Sequence, residues 1–309
     1  MLSKKVLKNA FIWTTTLFAL VILFTKIKPS MVLEVIVLAD RPLLALSLAV
    51  SLGAHIIFAP IRFRAILRSF GCLIPLSEII IFRMGSLPVK MIFPLRGEEL
   101  SRVAYLRKIH RVSIPKAAGA VIAGYLLNIL ILTAIVVGCS AAFDRTPLKL
   151  ALFFVLALCV TALPALFRSC ISSERVKKAL GPKWEKIRAL RDITAPRTLV
   201  TLSIQSLCIE LCKLLNTFLL FRALGVNIPP AEFLLRAPLT LIAAALPITL
   251  WGLGTRESSI LLLFAGFASP EQLLGASLLI SFVNSIFPVF VGLGFIKPFL
   301  DRFMKSKDG

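Results

Sequence analysis

The sequence predicts an all-α polytopic membrane protein, with about six spanning helices and two re-entrant helical hairpins in an inverted repeat. Three observations carry this. Of 309 residues, 58% are apolar and only 17% charged, and the mean hydropathy of +0.92 is far above that of a water-soluble domain. Several apolar runs reach the roughly 20 residues that a bilayer crossing requires. Two further apolar runs are interrupted in the middle by glycine and proline.

The spanning helices are expected at 10–27, 42–61, 114–138, 148–168, 198–221 and 272–296. The first follows Lys4, Lys5 and Lys8 as a signal peptide would, but Thr25-Lys26-Ile27-Lys28-Pro29 provides no small-residue cleavage site. It is therefore expected to be retained. The interrupted runs cover 72–95, broken at Gly85, Ser86 and Pro88, and 232–267, broken at Pro247, Gly252 and Gly254.

Charge sets the topology. The net charge of +21 would suggest nucleic acid in a soluble protein, but these Lys and Arg residues sit between the apolar runs, where cytoplasmic loops gather them. No nucleic-acid partner is expected. Arg62, Arg64 and Arg68 precede the first broken run, and Arg96, Arg102, Arg107, Lys108 and Arg111 follow it, so both flanks read as cytoplasmic. Lys297, Arg302, Lys305 and Lys307 place the C-terminus on that side too. Both termini then face the cytoplasm, and the second broken run enters from the opposite face. The expectation is one membrane domain over 1–309, with inverted halves at 42–138 and 198–296. The alternative is that one or both broken runs are kinked full spans, and an eight-span count also leaves both termini inside. The basic segment 169–197 is either an interfacial helix touching anionic headgroups or a solvated connector.

Charges at membrane depth are costly and mark functional sites. Three groups stand out. In Pro94-Leu95-Arg96-Gly97-Glu98-Glu99-Leu100-Ser101-Arg102, at the exit of the first broken run, Glu99 and Arg102 have the spacing of an ion pair on one helix face. That pair is also what an ordinary helix start would carry. In Gly252-Leu253-Gly254-Thr255-Arg256-Glu257, exposed amides and Arg256 offer phosphate contacts, or the tip is purely structural. Ser203, Ser206, Glu210, Lys213 and Thr217 form one polar stripe on the helix at 198–221, and Ser277, Ser281, Asn284 and Ser285 an uncharged one on the last helix.

His55 and His110 form no paired motif, and the six cysteines have no metal-ligand spacing, so no metal and no cofactor are expected. Nucleophile, P-loop and dinucleotide fingerprints are absent from the sequence.

On Arg62 to Gly71, on Pro94-Leu95-Arg96 through Glu99 and Arg102, and most specifically on Gly252-Leu253-Gly254-Thr255-Arg256-Glu257, the chain resembles the lysylphosphatidylglycerol synthase transmembrane-region family, also called flippase-like. The resemblance covers nearly the whole chain. Relative to that pattern, Glu98 replaces a Gly, while Gly124-Tyr125 and Asn128 stand at the positions of a Glu-Arg pair and an Asp. The resemblance implies a prokaryotic cell-membrane protein that moves or binds lipids with anionic or polar headgroups. Without an aminoacyl-transferase domain it is not expected to synthesise lysylphosphatidylglycerol, and it is not expected to be an enzyme. The headgroup path is expected to be lined by Arg96, Glu98, Glu99, Arg102, Glu210, Lys213, Gly252, Gly254, Arg256 and Glu257. The alternatives are an accessory protein bound to an envelope glycosyltransferase or lipid synthase, and an embedded lipid-modifying enzyme.

Overall fold

The computed structural model describes residues 29–92, 97–143, 195–245, 249 and 252–305, and every regular element among them is helical. Four helices are long and apolar enough to cross a membrane: Arg41–Ser69, Ile114–Ser140, Arg197–Ala223 and Pro270–Leu293. They correspond to four of the six expected spans. The expected spans at 10–27 and 148–168, nearly all of the basic segment 169–197, and Arg96 lie outside the described residues.

The elements run as follows: α1 (Pro29–Val37), α2 (Arg41–Gly53), a π-helical turn (Ala54–Phe58) and α3 (Ala59–Ser69). Next come α4 (Leu76–Ser86), α5 (Val89–Ile92), α6 (Gly97–Ile109) and α7 (Ile114–Phe143). The second part holds α8 (Pro196–Ala223), α9 (Pro230–Ala245), α10 (Thr255–Leu263) and α11 (Pro270–Ser281). A second π-turn (Phe282–Ile286), α12 (Phe287–Leu293) and α13 (Ile296–Lys305) complete it.

The first span begins where Asp40 accepts from the Leu43 amide at 3.0 Å and Pro42 occupies the first turn. It continues past the expected 42–61 to Ser69, where Gly71 at φ 76° stops it. Arg62 is therefore not a flanking cytoplasmic charge. It is a buried residue of the continuous helix, whose Nη1 finds its partners inside the bundle. Both π-turns precede a proline. The Ala59 amide reaches back to Ala54, ahead of Pro60, and the Phe287 amide reaches back to Phe282, ahead of Pro288. Proline has no amide to continue the α pattern, so a carbonyl is left over at each turn. At the second, the Ser51 hydroxyl donates to the Val283 carbonyl at 2.9 Å and joins the two helices.

Both broken runs fold as antiparallel helical hairpins. In the first, Ser86 near the tip meets Arg102, while Glu78 meets Tyr105 and His110 at the open end. The returning arm is α6, so the hairpin extends to 109 rather than closing within 72–95, and the Glu98 motif lies at its tip instead of its exit. Hydropathy hid this arm, because α6 turns charged groups inward. In the second, Arg236 donates to the Leu263 carbonyl at 2.7 Å, and Gly252 lies against Ala244 at the tip. The arms are α9 and α10.

The hairpins open at opposite ends of the first span. The open end of the first lies beside Phe70, where Lys116 reaches the Phe70 carbonyl at 3.4 Å. That of the second lies beside residue 40, whose amide donates to the Ala223 carbonyl at 2.8 Å, with Gln272 on the Leu224 carbonyl at 3.4 Å. Each hairpin also packs on helices distant in sequence: α4 on the later α12 and α13, α9 on the earlier α7. The outer helix faces remain apolar, with Leu46, Ile57, Ile122, Leu126, Val200, Ile204 and Phe290 exposed, as helices in lipid require.

Two aromatic cores anchor the hairpins. Phe63, Phe82, Tyr105 and Phe299 form one, with Tyr105 and Phe299 stacked at 5.2 Å. Phe221, Phe233 and Phe264 form the other. Close approach at the first depends on Gly85, where a Cβ would lie 2.5 Å from Phe299 Cβ and 2.9 Å from the Phe295 carbonyl. Gly85→Ala should therefore lower the thermal unfolding midpoint in detergent, corresponding to about 1–3 kcal/mol of overpacking. An unchanged midpoint would contradict this helix contact.

Candidate functional site

At the first tip, α6 starts just beyond the break, so its first two turns carry Glu98 and Arg102 into the protein. Glu98 and Arg102 form the ion pair, with four-residue spacing, and Arg102 Nε also donates to Ser86 Oγ at 3.0 Å. The expected Glu99–Arg102 pair is not formed. Glu99 is turned away along the helix surface and accepts from the Tyr125 hydroxyl of α7. Arg83, on the opposing arm, stacks over Phe63 with its guanidinium carbon 5.3 Å from the ring centroid.

At the second tip, Gly252 and Gly254 have φ of 77° and 88°, a region unfavourable to other residues. A Cβ on Gly252 would also lie 2.8 Å from the Ala244 carbonyl. The turn feeds α10, whose Glu257 accepts from the Gly254 amide at 2.5 Å. That carboxylate occupies the Gly254 amide, and Gly252 and Gly254 shape the backbone of the turn. Arg256 and Glu257 do not pair directly. Ser281 bridges them, accepting from Arg256 Nη1 at 2.8 Å and donating to Glu257 Oε1 at 2.8 Å.

Between the tips run the first span, α7 and α8. Arg62 donates to Asn128 Oδ1 on α7 and to Ser206 Oγ on α8 at 3.2 Å. Glu210, fully buried, accepts from Lys213 Nζ at 2.8 Å. The polar stripe on α8 thus faces inward. His55, on the first π-turn, is held through Nδ1 to the Ser51 carbonyl at 2.9 Å.

These groups line a cavity region in two adjoining lobes. One, of about 220 Å³, is lined by Arg62, Arg83, Glu98, Arg102 and Lys213. The other, of about 200 Å³, is lined by Lys213, Arg256, Leu241 and Ser285. His55, Tyr125, Asn128 and Asn284 line both. Of the expected residues, Glu98 and Arg102 line the first lobe, Arg256 the second, and Lys213 both. Glu99, Glu210 and Glu257 stand behind the lobes as partners of lining groups, and Gly252 and Gly254 shape the turn. Among the described residues no group of three or more His, Cys, Asp or Glu side chains is placed to hold a metal ion.

Arg62, Arg83, His55, Tyr125 and Asn128 were not among the residues expected at the site. For Arg62 a signal existed: Phe63, Ile66 and Leu67 continue the apolar helical spacing beyond it, so a flank was not required there.

Residues 6–292 match the family model described as the lysylphosphatidylglycerol synthase TM region, and the chain belongs to that family. No curated protein matches it. Removing the Glu257 carboxylate should uncap α10 and leave Arg256 without its bridged counter-charge. Glu257→Ala is expected to destabilise by about 3–5 kcal/mol, and Glu257→Gln, which still accepts hydrogen bonds, by less. Thermal unfolding in detergent reads both, and equal midpoints for the three proteins would refute the capping role.

Proposed function

We propose that this membrane protein of the flippase-like kind binds the headgroup of an anionic lipid in the cavity between its hairpins and passes it between leaflets. The observation that carries the reading is the cation-rich cavity touched by both hairpins. Five cations, Arg62, Arg83, Arg102, Lys213 and Arg256, line it and a sixth, Lys90, lies within electrostatic reach of Glu98 and Glu99, against four carboxylates, Glu98, Glu99, Glu210 and Glu257. Uncompensated positive charge in a low-dielectric interior favours an anion over water. The acyl chains remain in lipid while the headgroup follows the polar cavity.

In this reading both hairpins are re-entrant, the two halves form an inverted repeat, and broken backbone lines a wet path near the midplane. The protein sits in a prokaryotic cell membrane with both termini cytoplasmic, and no step of this transfer requires it to be an enzyme. An envelope glycosyltransferase or lipid synthase would supply or use the lipid.

Topology is tested with single cysteines in a cysteine-free background. Arg68→Cys and Ser113→Cys should label from one face of intact vesicles, and Asn227→Cys and Ala265→Cys from the other. Labelling of the Arg68 and Ser113 positions from opposite faces would end the re-entrant account.

Transfer is tested in liposomes with labelled phospholipids and polyprenyl lipids, without ATP. The wild type should accelerate inter-leaflet movement. Arg62→Lys and Arg256→Lys keep charge but lose the planar fork, and each should slow it about tenfold, whereas the exposed Arg197→Gln should not. If no lipid moves and the protein co-purifies with an envelope glycosyltransferase, the accessory reading replaces this one.

A further inference from the structure

We infer that the headgroup this cavity takes is a terminal phosphate monoester, not the phosphodiester of an ordinary bilayer lipid. The inference rests on the headgroup reading above and narrows it by charge. Arg102 is paired with Glu98, Lys213 with Glu210, and Arg256 with Glu257 through Ser281. Of the remaining groups, Lys90 lies within electrostatic reach of Glu98 and Glu99. Arg62 and Arg83 are left, lining the same lobe, and no carboxylate among the described residues forms an ion pair with either. Among the described residues Arg62 is bonded only to the neutral Asn128 and Ser206, Arg83 lies on an aromatic ring, and the buried Nε of each meets no partner.

Glu210 acts on Arg62 and Glu98 on Arg83, but these carboxylates are already paired with Lys213 and Arg102, so two cations are left in excess, an expensive arrangement for a protein interior that a ligand of matching charge relieves. A phosphodiester brings one negative charge and leaves one guanidinium unpaired. A phosphate monoester carries about −1.5 to −2 at neutral pH and presents three strong acceptor oxygens. Two forked guanidiniums supply donors for all three. The lobe, at about 220 Å³, has room for that group.

The test compares two lipids that differ by one charge. The full-length protein, in nanodiscs of uncharged phosphatidylcholine, is titrated with labelled dioleoyl phosphatidic acid and with its phosphate methyl ester. The monoester should bind at least about tenfold more tightly, the step expected of one added charge-assisted contact. Arg83→Gln should bring the ratio close to one, and Arg83→Lys, which retains the charge, should preserve most of it. Glycerol 3-phosphate, the soluble monoester, should displace the lipid only at far higher concentration. Equal binding of the two lipids overturns the monoester assignment and leaves the headgroup reading intact. Binding of neither overturns the headgroup reading itself. Displacement by glycerol 3-phosphate at concentrations equal to the lipid's overturns the lipid as the source of the phosphate.

Discussion

A guanidinium removed from water must find partners for its donors or carry a penalty of several kcal/mol. Arg62 imposes that condition on the middle of this bundle. Its partners stand on two other helices, Asn128 on α7 and Ser206 on α8, so one side chain fixes how three long helices face each other. Glu210, on the face of α8 that carries Ser206, lies near enough for its charge to act on Arg62. Polar stripes that would be unstable toward lipid therefore turn inward, and apolar faces such as Leu126, Ile204 and Leu211 turn out. The same constraint that orders the helices leaves a cavity with positive charge on its walls.

The irregular backbone follows the same rule of satisfied polar groups. Each hairpin tip and each π-turn releases backbone groups that lipid cannot accommodate. Glu257 fills the released amide of Gly254, and Ser51 fills the released carbonyl of Val283. Pro60 and Pro288 place the π-turns beside the cavity, where His55 and Asn284 are directed into it. The C-terminal helix α13 is tied to the first hairpin in the same way. Arg302 pairs with the Glu78 that also accepts from Tyr105, and Phe299 stacks on Tyr105 itself. A charge that reads as a cytoplasmic mark in sequence is here a contact that holds a hairpin arm.

Length and apolarity made four spans legible, and glycine and proline made both breaks legible, because these signals are local. The two failures share one cause: an inward-facing charge was read as a flanking one. Arg62 was placed outside its helix, and α6 outside its hairpin, since window hydropathy has no term for a partner on another element. The partner choice of Glu98 over Glu99 was equally hidden. Both spacings allow a pair with Arg102, and only Tyr125, twenty-six residues away in sequence, decides which glutamate is diverted. The motif around Gly254 was legible as a turn with buried charges. Its use of Glu257 as a cap could not be separated from a free amide site until the carboxylate was placed.

The central claim is that anionic headgroups enter between the hairpins and meet Arg62 and Arg83. The most direct measurement is an electron cryomicroscopy structure of the protein in nanodiscs containing anionic lipid. The account predicts phosphate density in the lobe between the two guanidiniums, within hydrogen-bond distance of both. An empty or apolar-filled lobe, with headgroup density confined to the outer ends of the helices, would contradict it.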